Sequence, residues 1–263
     1  SYVPQGSMDS LDPLAPISDQ AWDIARVHTD MKRPEAMEKF KRMFDVVGLQ
    51  QSRIDDYPHE FSGGMQQRAI IAISLFLEPS LLVADEPTTA LDVIMQDQIF
   101  KYLEEVREET DTSMLLITHD ISVILESCDN LAIMHSGQVA ETGSTVDIYD
   151  SPRHPYSILL QEAFPDHRYP NKELGIIEGY PPQTTGEVDF CTFVDRCPWA
   201  VEDCREGAPP LEPVADPATD GSTDHMTACI RRDEVHELYE EEQSFGSTDV
   251  TDSADVPGGA TND

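Results

Sequence analysis

Leu81-Leu82-Val83-Ala84-Asp85-Glu86-Pro87 is the stretch on which the fold turns. Four apolar residues, two acids and a proline predict a short buried strand that delivers carboxylates to its C-terminal edge. That is the edge at which α/β proteins hold ligands. Upstream, Phe61-Ser62-Gly63-Gly64-Met65-Gln66-Gln67-Arg68 opens an Ala, Ile and Leu run through Leu77, which reads as a buried helix. Downstream, a long amphipathic helix is expected over about 92–109, with Ile99, Tyr102, Leu103 and Val106 inward. Met114 to Thr118 predicts a second buried strand, and Ile121 to Ser127 a short helix. Strand and helix in alternation imply a parallel sheet covered by helices.

Before this core, residues 1–17 read as loop. A helix is expected over 18–30, with Trp22, Ala25 and Val27 inward. A clearer one is expected over 34–47, where Ala36, Phe40, Met43, Phe44 and Val47 share a stripe and Gly48 stops it. After the core, Leu131–Met134 and Gln138–Glu141 flank Ser136-Gly137 as a hairpin. Beyond 150, Pro152, Pro155, Pro165, Pro170, Pro181 and Pro182 break up any long element, and a cysteine-bearing module follows to about Ile230. Residues 233–263 carry ten acidic side chains and no Lys or Arg, and 244–263 are expected to be a disordered tail.

Charge excludes one class of function. Seventeen Lys and Arg stand against 51 Asp and Glu in 263 residues, a net charge of −34. A basic face for nucleic acid is not available. Only five of the cations are Lys. Disorder can explain part of the excess acid, with 14 Gly and 19 Pro in the chain; the other explanation is a salty cytosol, because at about 1 M salt the Debye length is about 3 Å and self-repulsion is screened. No stretch reaches the 18 apolar residues of a membrane span.

The acid pair suits a nucleotide site. Asp85 offers hard oxygen to Mg²⁺, and Glu86 can orient or deprotonate an attacking water. Ser62 can cap its helix, while Gly63 and Gly64 let phosphate oxygens reach bare backbone N–H groups at a positive helix end. His119, in Thr118-His119-Asp120 after the next strand, can hydrogen-bond a phosphate. Asp92, in Ala90-Leu91-Asp92, can cap a helix or reach across a subunit boundary.

In this order and spacing, these elements resemble the ATPase subunit of ABC transporters over residues 1 to about 160. Phe61 to Arg68 is similar to the family signature, and Leu81 to Glu86 to its Walker B strand and catalytic glutamate. Ala90 to Asp92 is similar to the D-loop, and His119 to the switch histidine. Gln5, in Tyr2-Val3-Pro4-Gln5, stands where the Q-loop glutamine would be. The resemblance implies an α/β fold: part of a P-loop NTPase parallel sheet with an α-helical subdomain, plus a small cysteine-rich C-terminal module. It implies ATP and Mg²⁺ as cofactors. Glu86 and His119 would be catalytic, and Asp85 and Gln5 would hold Mg²⁺. Gln5 would serve the chain's own nucleotide. Ser62, Gly63, Gly64 and Gln66 would contact the nucleotide of a second subunit, with Asp92 at the boundary between the two.

The family's G-x-x-x-x-G-K-[ST] loop is absent from this sequence. With Ser1 in place of Met, this suggests a piece of a longer product, the alternative being a degenerate gene. The chain alone is then expected to bind and hydrolyse ATP poorly.

Ser151-Pro152-Arg153-His154-Pro155-Tyr156 and Gly179-Tyr180-Pro181-Pro182 resemble the extension of peptide and nickel importer ATPases. Four cysteines, Cys191, Cys197, Cys204 and Cys229, complete the likeness, although Phe190 replaces the usual glycine before the first. In some of these ATPases such cysteines hold a [4Fe–4S] cluster. Four thiolates also suit Zn²⁺, but the spacing lacks a C-x-x-C knuckle; free thiols or disulfides are the remaining alternative. Cys128 reads as a small buried hydrophobe.

The segments expected are a Q-loop segment (1–17), an α-helical subdomain (18–60), an ATPase core (61–150), an extension with the cysteines (151–232) and an acidic tail (233–263). The function implied is ATP-driven import of oligopeptides, dipeptides or nickel at the cytoplasmic face of the membrane. The implied partners are two permeases, a second ATPase subunit and an extracellular solute-binding protein, with no nucleic acid. The alternatives are a soluble ABC ATPase outside transport and a non-catalytic fragment.

Overall fold

The computed structural model describes residues 1–6, 10–88, 91, 93–110, 112–164, 174–182, 186, 188–214 and 224–246. They fall into two compact units, Ser1–Val123 and Ile124–Asp263.

The first unit begins with β1 (Tyr2–Val3) and the helices α1 (Ile17–His28), α2 (Arg33–Val46) and α3 (Gly63–Leu75). β2 (Leu81–Asp85), α4 (Val93–Thr110) and β3 (Ser113–Ile117) follow, and the division between the units falls within α5 (Ile121–Ser127). The strands form one parallel sheet in the order β1-β2-β3. Its core is aliphatic around a cluster of phenylalanines. Phe40 meets Phe44 at 5.2 Å and Phe76 at 5.4 Å, and Phe44 meets Phe61 at 6.2 Å, with tilted or edge-on rings that aromatic quadrupoles favour. Gly48, at φ +71°, ends the α2 turn as expected.

Three expectations fail here: Tyr2–Val3, read as loop, pair with Val83 and Ala84 as strand β1. Val27 is 71% exposed, because α1 buries Ile17, Ala21 and Ala25 and turns Val27 outward. β3 is not buried on both faces: Leu115 and Ile117 are 54% and 48% exposed. Register explains it. Tyr2, Val83 and Leu115 are cross-strand neighbours, and Leu81, Asp85 and Ile117 share their face. The opposite face carries Val3, Leu82 and Ala84 into the core. Parallel sheets are ordinarily covered on both faces, and among the described residues the first of these faces stays open.

The second unit holds β4 (Asn130–His135), β5 (Gln138–Ser144), α6 (Thr145–Asp150) and α7 (Pro155–Glu162). β6 (Glu212–Pro213), β7 (Met226–Thr227) and α8 (Arg232–Gly246) complete it. Its sheet is antiparallel in the order β4-β5-β7-β6. The expected hairpin forms: Ser136 and Gly137 both take positive φ, 48° and 81°, which the tight turn between twisted strands requires. α8 occupies residues assigned to the acidic tail and runs through Gly246. Val235, Leu238 and Tyr239 recur at helical spacing under the acids, and Val235 is fully buried. Residues 247–263 lie outside the described residues. No described helix is long and apolar enough to cross a membrane.

Candidate functional site

Parallel pairing puts the C-terminal ends of β1, β2 and β3 on one edge, and the sequence loads that edge with polar groups. Gln5 lies exposed two residues past β1. Asp85 is the last residue of β2, and its Oδ2 accepts from the Tyr2 hydroxyl at 3.2 Å. Partial desolvation and this carboxylate raise the Tyr2 pKa. Glu86 sits in the left-handed region at φ 48°, a strained conformation for a side chain of its size. Its N–H donates to Ile117 O at 2.8 Å, which holds the strained turn against the end of β3. The turn aims its carboxylate at His119: Glu86 Oε1 lies 2.6 Å from His119 Nδ1 and accepts the His119 N–H at 3.2 Å. The hydrogen bond and charge of Glu86 raise the His119 pKa above its ordinary value. The edge therefore unites Gln5, Asp85, Glu86 and His119, each on a different strand end apart from the adjacent acids. A histidine in contact with a carboxylate is equipped to orient a water beside a phosphate.

The glycine-led helix end is held from both sides. Phe61 anchors it in the phenylalanine cluster, with the Arg53 guanidinium 4.5 Å above its ring. Arg68 Nη1 donates to Val47 O and Gly48 O at the end of α2. Ser62 is exposed, and its Oγ accepts from Met65 N at 3.4 Å as the cap of α3. A side chain on Gly63 would meet nothing within 4 Å, so the surface above it is open. Gly64 is half-buried in the first turn.

Gln66 differs from expectation. It is buried, and its Nε2 donates to Pro58 O at 2.8 Å and Phe61 O at 3.4 Å, bracing the turn before the helix. Here the side chain faces inward because those two carbonyls need a donor. Gln67, unremarked in the sequence, donates to Pro87 O at 2.6 Å and ties α3 to the loop after Asp85-Glu86. No sequence signal separates it from its neighbour. Asp92 and Ala90 lie outside the described residues.

In the second unit Cys191, Cys197, Cys204 and Cys229 line one cavity of about 20 Å³, with His154, Phe193, Trp199, Arg231 and Val235 among its walls. All four are free thiols. Burial, reinforced by the neighbouring thiols, pushes Cys197 up to about 11 and Cys229 up to about 12, and raises Cys191. As the chain stands, no three Cys, His, Asp or Glu side chains among the described residues gather closely enough to hold a metal ion. Cys128 is half-buried and apart from this group.

A family model for ABC transporters matches residues 1–89, and a model for the oligopeptide/dipeptide transporter C-terminal region matches residues 140–204. The oligopeptide transport ATP-binding protein OppD of Salmonella typhimurium is 42% identical over 214 residues, 81% of this chain and 64% of that protein. The "Probable peptide ABC transporter ATP-binding protein y4tR" of Sinorhizobium fredii is 37% identical over 237 residues, 89% of this chain and 69% of that protein. The chain belongs to the ATP-binding proteins of peptide ABC transporters. Its fold agrees: cbiO1 from Clostridium perfringens, part of the ABC transporter complex cbiONQ, superposes with a TM-score of 0.50 at 25% identity over 61% of each chain. Like these ABC proteins, it is an α/β chain with a parallel sheet and covering helices. The chain spans about 64% of the length of the Salmonella relative. The matched region of the transporter model ends between Glu86 and His119, and that of the C-terminal model ends at Cys204, short of Cys229.

Proposed function

We propose that the chain supplies the signature helix and the catalytic strand edge of a transport ATPase that drives uptake of oligopeptides or dipeptides. The observation that carries it is the Glu86–His119 contact of 2.6 Å at the edge where Gln5 and Asp85 also end. In the complete protein Glu86 takes the proton of the attacking water, and His119 turns its other ring nitrogen to the terminal phosphate. Asp85 and Gln5 are the residues that would hold Mg²⁺, whose charge would offset that of the phosphates. Ser62, Gly63 and Gly64 present an open, positive helix end to the nucleotide of a second ATPase subunit. Asp92 belongs to the boundary between subunits, and Gln66 acts by bracing the signature turn.

The open face of the first sheet supports a longer protein in which further chain covers Tyr2, Leu81 and Leu115 and brings the phosphate loop. Ile24 and Val27, three apart and exposed on α1, give two permease helices an apolar surface to dock on. On this reading the ATPase works at the cytoplasmic face of the membrane, fed by an extracellular solute-binding protein. The net charge of −34 suits a host with high internal salt.

The test is Glu86→Gln in the full-length protein with its permeases. ATP binding should persist while hydrolysis falls by about 10²- to 10⁴-fold. Hydrolysis at the unaltered rate would remove Glu86 from its role.

The four thiols would hold a [4Fe–4S] cluster, with Zn²⁺ as the alternative. The donor chemistry fits, with four cysteines on one cavity and no competing carboxylate in its walls, while the thiols would have to draw together to bind. A cluster would spread its ligands more widely than a single tetrahedral ion and would act structurally, pinning a proline-rich module with little core of its own. Anaerobically purified protein should carry iron, acid-labile sulfide and visible absorbance. A colourless sample loaded with zinc would decide for the alternative.

A further inference from the structure

The cysteine cavity is assembled from segments far apart in sequence, and one buried side chain touches two of them. Glu141, in the middle of β5, is fully buried. Its Oε1 accepts from the Arg153 N–H at 2.7 Å and lies 2.7 Å from His225 Nε2, and its Oε2 accepts from the His154 N–H at 3.1 Å. Burying a carboxylate is costly unless donors surround it, and an apolar residue would fill a strand interior at lower cost. The three donors come from just two places: the start of α7 and the residue before β7.

Both places lead to the cavity. His154 and Pro155, at the start of α7, form part of its wall. β7 pairs with β5 through Glu141↔Thr227 and Thr142↔Met226, and the Ala228 N–H donates to Ala140 O at 2.8 Å. Cys229 is the next residue. β7 is only two residues long, so its own ladder offers little to fix register. His225 also packs close to Gly143, where an added side chain would come within 3.1 Å of its Cα.

We propose that Glu141 is a positioning residue for the four-thiol site: by holding His225 and the 153–154 backbone at one carboxylate, it sets the register of β7 and so the place of Cys229. The proposal rests on reading the four thiols as one site. It does not depend on which metal they hold.

The test uses the full-length protein, reduced and treated with chelator, in wild-type, Glu141→Gln and His225→Gln forms. Alkylation rates of each cysteine are read by mass spectrometry, with Cys128 as the internal reference in the same unit. Loss of a charge-assisted tie should speed alkylation of Cys229 by roughly tenfold in Glu141→Gln while Cys128 keeps its rate. Iron affinity on reconstitution should fall by about 10- to 100-fold. A selective rise at Cys229 in Glu141→Gln upholds the proposal whether or not His225→Gln follows. An unchanged Cys229, a rise confined to His225→Gln, or a parallel rise of all five cysteines would overturn it. Iron-free wild-type protein would end the cluster reading and leave the alkylation result standing.

Discussion

The polar strand edge of the first unit and the cysteine cavity of the second are built in opposite ways. The edge is made of short contiguous motifs at the ends of parallel strands, so each chemical group sits beside the residues that aim it. The cavity is made of single residues drawn from 154 to 235, set in place by partners elsewhere in the chain. A parallel sheet orders its strand ends by topology alone, whereas a small module with two-residue strands must specify its geometry by individual contacts. The first region should therefore respond to core packing, and the second to single polar ties.

Phe40→Ala should give the largest effect. It removes the ring that joins Phe44 and Phe76, and should destabilise the first unit by about 3–5 kcal/mol. Hydrogen exchange should show the loss in α2 and α3, with β4 and β5 keeping their protection. Equal loss in both regions would erase the contrast drawn here.

Salt should act on both. Moving the protein from about 1 M to about 0.1 M salt lengthens the Debye length from about 3 to about 10 Å. With 51 acids against 17 bases, the melting temperature should fall steadily along that series. A flat response would dissociate the charge from salt adaptation.

Ser62→Ala should cost about 1 kcal/mol or less, since it removes a long capping bond at an exposed helix end. Gly63→Ala meets no neighbour and should fold normally. Loss of turnover in that variant of the complete ATPase would then report on the nucleotide, not on stability.

The smallest change is electrostatic. Glu86→Gln should lower the His119 pKa toward its ordinary 6.5, because Glu86 is the main cause of its rise. The raised value means that pairing with Glu86 is strongest below pH 6.5 and fades as pH climbs through the folded-state pKa. A proton resonance titration of His119 reads this directly, and an unmoved pKa would separate the two side chains.

Much of the edge was legible from residue order. Asp85-Glu86 after an apolar run, Ser62-Gly63-Gly64 before a helix and His119 after a strand all stand where residue order puts them, at a strand end or a helix start. What escaped depended on distance along the chain. Gln67 meets Pro87, and Glu141 meets Arg153, His154 and His225, through contacts no local pattern announces. The inward turn of Gln66 and the outward turn of Val27 were settled by which carbonyls and which helix face needed a partner. α8 was hidden because its acids outnumber the three apolar residues that dock it.

On the proposed function, Ser62 and Glu86 of one subunit serve different nucleotides. Complementation tests it most directly, using pairs of full-length subunits reconstituted with permeases. One pair combines a Ser62→Arg copy with a Glu86→Gln copy; the other combines a copy carrying both changes with an unaltered copy. The first pair leaves one nucleotide with both groups intact and should retain turnover, and the second should lose it. Turnover in the second pair but not the first would place both groups on the same nucleotide and contradict the claim.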